Sequence, residues 1–225
     1  MKVPPGARGV AVHREHGVWE AIADSFDRNR TRTWPHVEAF LRSLPPGRRV
    51  LDLMGGNGRH TRTVLEAGHS AAWLDWSRPA ARIVAGRYPA ALAVVGDATR
   101  LPFANAAFDA CIFVAGLHCL PTQEARHAAL GELRRVLRPG GVAQVTVWSR
   151  DAPRFRSEGA PGRPIDVVLP WRSDGHDEAR SYHLYTPAAL EADLRAAGFA
   201  SPEVHAVAVV AREPDNLVAT VQRAA

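Results

Sequence analysis

The chain has 225 residues, 46% of them hydrophobic and 23% charged, a length and balance that fit one domain with a full core and argue against disorder or a second domain. No apolar run approaches the roughly 20 residues of a membrane span, and the N-terminus lacks the apolar core of a signal peptide, so a cytoplasmic protein with no membrane partner is expected. The net charge of +5 favours a polyanionic partner such as nucleic acid, although Lys2 is the only lysine and a base-composition bias or a hot habitat would also raise arginine.

Residues 1 to 10, with Pro4-Pro5-Gly6, read as a loose arm. From Val12 to Phe26 apolar residues recur at helical spacing (Val18, Trp19, Ile22, Phe26), which predicts a helix across the front of the domain. The basic segment Arg28 to Trp34 breaks the period, and Pro35 opens a second helix to Leu44 with an apolar stripe of Val37, Phe40, Leu41 and Leu44. Strands are then expected at about 49 to 53, 71 to 75, 91 to 95, 109 to 114 and 142 to 148, with helices at 58 to 67, 78 to 87 and 122 to 137, the last closed by Arg138-Pro139-Gly140-Gly141. Such alternation implies a parallel sheet covered on both faces. Residues 150 to 180, rich in Arg, Pro, Gly and Asp, read as a long substrate-side loop with one apolar island, Val167 to Trp171. A helix from Pro187 to Ala197 and two closely spaced strands, Glu203 to Ala211 and Leu217 to Gln222, end the chain. Strands so close must pair antiparallel, which puts one reversed strand in a mostly parallel seven-stranded sheet. The whole reads as one α/β Rossmann-like domain: arm and helices at 1-47, core at 48-149, insertion at 150-185, closing elements at 186-225.

The segment Val50 to His60 carries the first chemical signal. Asp52 ends a buried strand, and Gly55-Gly56-Asn57-Gly58 lets the backbone pass close to a ligand before a helix starts. An acid beside this loop repels a pyrophosphate but receives an ammonium, such as the amino-acid end of S-adenosylmethionine (SAM). Asp75, ahead of Trp76 and Ser77, stands near the roughly 20-residue spacing of a ribose-binding acid. Asp97 would accept from an adenine amino group and Ala98 would offer its backbone N–H. Each acid alone also serves as a turn former or helix cap. Past the fourth strand, Ala115 faces the transferable group and His118 either orients an acceptor or braces a loop. Cys111 and Cys119 read as buried thiols, and the pattern contains no metal-ligand pair.

The order Asp52-x-x-x-Gly56-x-Gly58, Asp75, Asp97-Ala98, Phe108-Asp109 and Leu137 to Gly141 resembles class I SAM-dependent methyltransferases. Trp19 to Ala23 with Phe26, Arg30-x-x-x-Trp34-Pro35, Leu117-His118-Cys119, Val147-Trp148, Val168 to Trp171 and Tyr182 to Tyr185 are similar, more narrowly, to the tRNA methyltransferases that esterify 5-carboxymethyluridine at the wobble position. Met54 stands where that family has glycine, Gly55 where it often has cysteine, and His118-Cys119 where it has two histidines. The resemblance implies SAM as cofactor, S-adenosylhomocysteine (SAH) as product, tRNA as substrate, and a small zinc-binding activator protein as partner. A carboxylate acceptor needs positioning more than a base, and Arg30 is the residue chosen to hold it as a fork, with His118 beside it. Arg28 and Arg32 are assigned to phosphates, and Trp34, Trp171, Tyr182 and His183 to an RNA-facing rim. Methylation of a small-molecule acid or alcohol, and a non-catalytic partner role suggested by Met54, are the competing readings.

Overall fold

The apolar run at the centre of the chain forms β1 (Arg49–Leu53), whose Val50, Leu51 and Leu53 are fully buried. Each such side chain contributes about 1.5 to 3 kcal/mol on leaving water, which fixes the run in the middle of the sheet. The computed structural model describes residues 17–158, 162–173, 175–209 and 212–225; the expected arm at 1 to 10 and the start of the helix at Val12 lie outside them.

Around β1 lie β2 (Ser70–Asp75), β3 (Leu92–Val95), β4 (Phe108–Val114), β5 (Leu137–Trp148), β8 (Glu203–Val207) and β9 (Asn216–Gln222), in the order β3-β2-β1-β4-β5-β9-β8. The first five pair in parallel, and β9 runs antiparallel to both β5 and β8. The sheet therefore has seven strands with one reversed, as the sequence predicts. The chain moves outward from β1 to β3 and returns to the other side of β1 as β4, so a crevice opens beyond the carboxyl ends of β1 and β4.

Helices α1 (Ala23–Asn29), α2 (Pro35–Ser43), α3 (Arg59–Glu66), α4 (Arg78–Arg87), α5 (Gln123–Val136) and α6 (Pro187–Ala196) fall where periodicity places them, with a helical turn over 17–21 leading into α1. Local chemistry starts them. Ser77, Thr122 and Thr186 each accept the N–H three residues on, and prolines open α2, α4 and α6. On one face of the sheet α2 and α3 pack Val37, Leu41 and Val64 on Val50 and Ile112. On the other, Leu130 and Leu133 of α5 and Leu190 and Leu194 of α6 cover Leu51, Leu53 and Phe113. No helix among the described residues is long and apolar enough to cross a membrane.

Three expectations are corrected. The stretch 150 to 180 is not a loop throughout: β6 (Ile165–Ser173) and β7 (His176–Leu184) form a separate antiparallel hairpin. Along β6 the odd positions turn inward and the even ones outward, an alternation that the exposed Val168, apolar like its neighbours Val167 and Leu169, conceals in the sequence. Residues 138 to 141 do not stop α5 in a loop but lie within β5, where the pairing jumps from Phe108↔Leu137 to Ala110↔Val142. Gly140 takes the extra residues at a left-handed φ of 74°, and a Cβ on Gly141 would lie 2.8 Å from the Arg138 carbonyl. Strand β8 ends at Val207, four residues early, and residues 210 and 211 of the expected strand lie outside the description.

The loop between β3 and β4 is held to α5 by Glu132, which accepts the Leu101 N–H at 2.7 Å and both ends of the Arg135 fork at 2.7 and 2.8 Å. Arg135 in turn donates to the Leu101 and Phe103 carbonyls. Glu132→Ala removes a charged acceptor from a part-buried N–H and frees the fork, so we expect a loss of about 1 to 3 kcal/mol. Urea denaturation should show a lower midpoint at unchanged m-value.

Candidate active site

Asp52 is buried at the end of β1, where the Thr61 hydroxyl donates to it at 2.6 Å. Burial, only partly opposed by Thr61 and the Arg59 charge, raises its pKa to about 6. The loop behind it is tightly fitted. A Cβ on Gly55 would strike the Trp73 ring and approach the Asp52 carboxyl carbon to 2.8 Å, and one on Gly58, at φ 74°, would lie 2.7 Å from Val84. Met54 and Ala115, which both line the cleft, hold left-handed φ values of 52° and 55°. At Met54 a glycine would carry that φ without strain; a residue with a Cβ does so at about 1 to 2 kcal/mol.

Asp75 closes β2 with one carboxylate oxygen accepting from Gly56 N–H and the other from Ser77 N–H, both at 3.0 Å. Its carboxyl is raised above the usual carboxylate range by burial, against these amide bonds. Asp52, Asp75, Gly55, Gly56, Asn57, Trp76 and Ala115 line a cleft of about 760 Å³, roofed by Trp19, Ala23 and Phe26. Around it the Trp19 indole N–H and both ring nitrogens of His60 are buried without a partner. Buried polar groups left so are rare and costly in a folded chain, so this cleft suits a polar ligand. Asp52 can hold an ammonium and Asp75 a diol, and the three unpartnered atoms offer two further donors and, at one nitrogen of the neutral His60, an acceptor.

The roof is tied down from both sides. Asp27 of α1 receives a two-pronged bond from Arg87 at 2.8 and 2.7 Å, and Asn57 of the glycine loop donates to Asp27 at 3.0 Å and to the Arg30 carbonyl at 2.8 Å. Arg87 holds the Asp27 carboxyl below the usual range.

Beyond the cleft lies a wider cavity of about 1250 Å³ that shares Trp19, Phe26, Arg59, Ala115 and Cys119 with it. Its walls carry Arg30, Arg32, Arg59, Arg154 and Arg180 among Trp34, Trp148 and Tyr182. The cations lie on aromatic faces: Arg30 over Trp171 at 5.4 Å, Arg154 over Trp148 at 4.0 Å, and Arg180 over Trp171 at 4.7 Å and Tyr182 at 5.2 Å. His118 stacks on Trp148 with centroids 4.9 Å apart and accepts the Trp148 N–H on Nδ1 at 3.2 Å. Burial first, then the Arg154 charge, lowers its pKa to about 3. The ring is therefore neutral at pH 7, with its proton on Nε2.

Most residues singled out in the sequence converge here, but Gly58, Asp97, Ala98, Arg28, Trp171 and His183 line neither cavity. Asp97 is exposed, accepting from the Thr99 amide and hydroxyl at 2.8 Å in a local turn, and Ala98 is buried in the core; neither lines the cleft. His183 alternates with Tyr182 on β7 and so points to the opposite side, where it meets Asp166 at 2.7 Å and edges on Tyr185. Arg28 is exposed and lines neither cavity. Trp171 lies beneath the arginines and not on a rim: it is buried, and its indole N–H donates to Ser25 at 2.8 Å. Sequence reasoning missed Trp19 as a lining residue, and also Arg59, His60, Arg154 and Arg180. Arg59 and His60 follow the last loop glycine directly, and Arg180 stands two residues from Tyr182; a strand assignment for that segment would have put both on one face.

A family model described as a methyltransferase domain matches residues 50–141. The chain is 39% identical over 138 residues to the tRNA (carboxymethyluridine(34)-5-O)-methyltransferase of Arabidopsis thaliana, covering 60% of this chain and 33% of that relative. It is 28% identical over 203 residues to the protein of the same name in Schizosaccharomyces pombe, covering 81% of this chain and 87% of that one. The chain thus spans about a third of the length of the plant relative. Among solved structures, the Burkholderia thailandensis 1,6-didemethyltoxoflavin-N1-methyltransferase, with bound SAH, superposes at a TM-score of 0.75 with 20% identity, over 100% of this chain and 94% of that one. A chain of the complex between the Haloferax volcanii Trm112 methyltransferase activator and a methyltransferase does so at 0.71 with 17% identity, over 92% and 98%. Both structures share the fold.

The raised pKa of Asp52 has a readable consequence. With its folded value near 6 against an ordinary 3.8, Asp52 stabilises the free protein below pH about 4 and loses that contribution as pH rises through 6. A ligand ammonium needs the ionised form, so binding works in the opposite sense. SAH affinity, followed by calorimetry, should fall about tenfold between pH 7 and pH 5. Asp52→Asn should bind weakly with that dependence flattened; an unchanged profile in the variant would remove Asp52 from the ligand site.

Proposed function

Since the chain is a class I SAM-dependent methyltransferase and resembles the tRNA (carboxymethyluridine(34)-5-O)-methyltransferases in sequence, we propose that it methylates tRNA, esterifying the carboxylate of a wobble 5-carboxymethyluridine. The observation that carries this reading is the arginine- and aromatic-lined cavity opening directly onto the glycine-loop cleft. Cations on indole faces suit phosphates and a carboxylate, and the aromatic rings lining the cavity suit an unstacked base.

Asp52, Gly56 and Asp75 are assigned to the amino-acid and ribose ends of SAM, Gly55, Asn57, Trp76 and Ala115 to the walls around it, and Gly58, against Val84, to the turn that shapes the loop. SAM supplies a methyl group on a sulfonium: an acceptor oxygen forms the new C–O bond as the C–S bond breaks, its electron pair stays on sulfur, and no proton moves. An ionised carboxylate needs no base for this, which agrees with a His118 that is neutral and buried. His118 is assigned instead to donate from Nε2 and orient the acceptor. Arg30, exposed on the cavity wall and stacked over Trp171 and Phe26, is assigned to hold the carboxylate as a fork. Arg32, Arg154 and Trp34 belong to the RNA-facing wall.

A small activator protein is part of the proposal. Strand β3 is an open sheet edge, and it exposes Leu92 at 60% and Val95 at 46%. Large apolar side chains on a free edge are a liability unless covered, and a partner of the Trm112 activator type is the cover proposed.

Purified chain, with the activator co-expressed, should transfer labelled methyl from SAM to tRNA bearing 5-carboxymethyluridine and yield the methyl ester on nucleoside analysis. No ester formation under those conditions overturns the reading. Arg30→Lys keeps charge but loses the fork, so turnover should drop about 10- to 100-fold with the melting temperature held. His118 should leave no inflection in the rate profile between pH 6 and 9.

Because the cations would meet phosphates, tRNA affinity should also fall with salt. Filter binding at several salt concentrations should give a logarithmic slope of about −0.7 to −0.9 per phosphate neutralised. Salt-insensitive binding would point to a small acid as the acceptor.

A further inference from the structure

Arg59 is the first residue of α3, one step beyond the last glycine of the loop, and it lines both the cleft and the wider cavity. Three features of its surroundings are unusual. Its side chain is mostly buried, yet no carboxylate lies within ion-pair distance among the described residues; Asp52, whose charge it feels, is bonded to Thr61. Its guanidinium carbon stands 4.9 Å from the Trp34 ring centroid, and Trp34 lines the wider cavity and not the cleft, so the charged end belongs to the acceptor side of the junction. A second cation, Arg30, acts on it at close enough range to join burial in bringing its pKa down to about 10.

A mostly buried guanidinium with no carboxylate partner is expensive, and the Arg30 charge beside it adds to the cost. Folding retains such an arrangement where an anion arrives to relieve it. The neighbouring His60 adds an independent sign of a ligand: its ring is buried, both nitrogens lack partners, and it edges on the same Trp34 at 5.8 Å. Burial and the Arg59 charge hold His60 neutral, so it keeps one N–H to donate. The methyl acceptor has to stand where the cleft meets the wider cavity, and Arg59 is at that mouth.

We propose that Arg59 is the residue that selects and positions the acceptor's carboxylate, receiving it jointly with Arg30 and discriminating the acid from its neutral ester. This rests on the reading that the acceptor is a carboxylate, and it deepens that reading in one respect. Transfer removes the acceptor's negative charge, so the product loses the interaction that held it and the two cations return to mutual repulsion. Acid enters and ester leaves by the same electrostatics. Arg30 lies in the segment between α1 and α2, whereas Arg59 is the first residue of α3, directly behind the glycine loop, which makes Arg59 the reference point for the carboxylate relative to the cleft.

The test uses Arg59→Gln, which removes the charge, and Arg59→Lys, which keeps it. The probes are free 5-carboxymethyluridine, its methyl ester, and SAH, with nucleoside affinities measured by calorimetry or NMR in saturating SAH. Arg59→Gln should weaken the acid about 10- to 100-fold while ester and SAH affinities move less than about twofold; Arg59→Lys should recover part of the loss. On tRNA, kcat/KM should fall by a similar factor, with guanidinium ion restoring some rate to the Gln variant. Equal weakening of SAH would assign Arg59 to the cofactor's carboxylate and overturn the proposal. Equal weakening of acid and ester would reduce it to packing on Trp34, and no change, or no wild-type preference for the acid, would end it. A wild-type chain that prefers the acid through Arg59 yet transfers no methyl to tRNA would instead sink the tRNA reading and leave this one standing.

Discussion

The architecture of the site depends on one carboxylate, Asp27. Its two-pronged bond from Arg87 joins α1 to α4, and its bond from Asn57 joins α1 to the glycine loop. Phe26 of α1 roofs the cleft together with Trp19 of the turn before it, and Arg30, on the wall of the wider cavity, follows the last residue of the helix. Salt bridges on open surfaces contribute little, but a bidentate fork with a third donor makes a small network and holds geometry better than a single pair. The roof is thereby fixed relative to the loop that it covers, which is what positioning a ligand between them requires.

A second physical theme is the cost of placing many cations together. Arg30, Arg59, Arg154 and Arg180 share one cavity wall, and Arg59 and Arg154 are each shifted downward by burial and by cationic neighbours. Indole and phenol faces supply part of the compensation, since their quadrupoles accept a guanidinium without neutralising it. Trp34, Trp148 and Trp171 therefore do more than fill space. Carboxylates in their place would neutralise the guanidinium groups, whereas aromatic faces leave the charges of Arg30 and Arg59 unneutralised.

Backbone strain concentrates at the same mouth. Met54 and Ala115 adopt left-handed conformations in the turns after the neighbouring strands β1 and β4, and a Cβ on Gly116 would come within 2.8 Å of the Met54 Cβ, so the two turns lie close together. Strain held by surrounding contacts is common where a ligand must approach backbone closely. Met54 also packs its side chain against the core below the cleft and the aromatic cluster beside it, which helps hold its conformation.

What the sequence determined by itself is what neighbouring residues decide. The strand-loop-helix unit at Asp52, the capped starts of α4, α5 and α6, and the reversed last strand all follow from periodicity, caps and short connections, which act over a few residues. Tertiary structure decided which side chains face the cavities. Tyr182 and His183 are adjacent yet part to opposite sides, because β7 is a strand and its hairpin fixes the register. Asp75 is the last residue of its strand, whereas Asp97 stands two residues beyond β3 in a turn that closes on Thr99 away from the cleft. Arg59, Arg154 and Arg180 meet around Trp34 and Trp148 from distant parts of the chain, and Ser25 bonds Trp171 across 146 residues. No local pattern encodes such meetings, because they are set by how the hairpin and α1 pack over the end of the sheet.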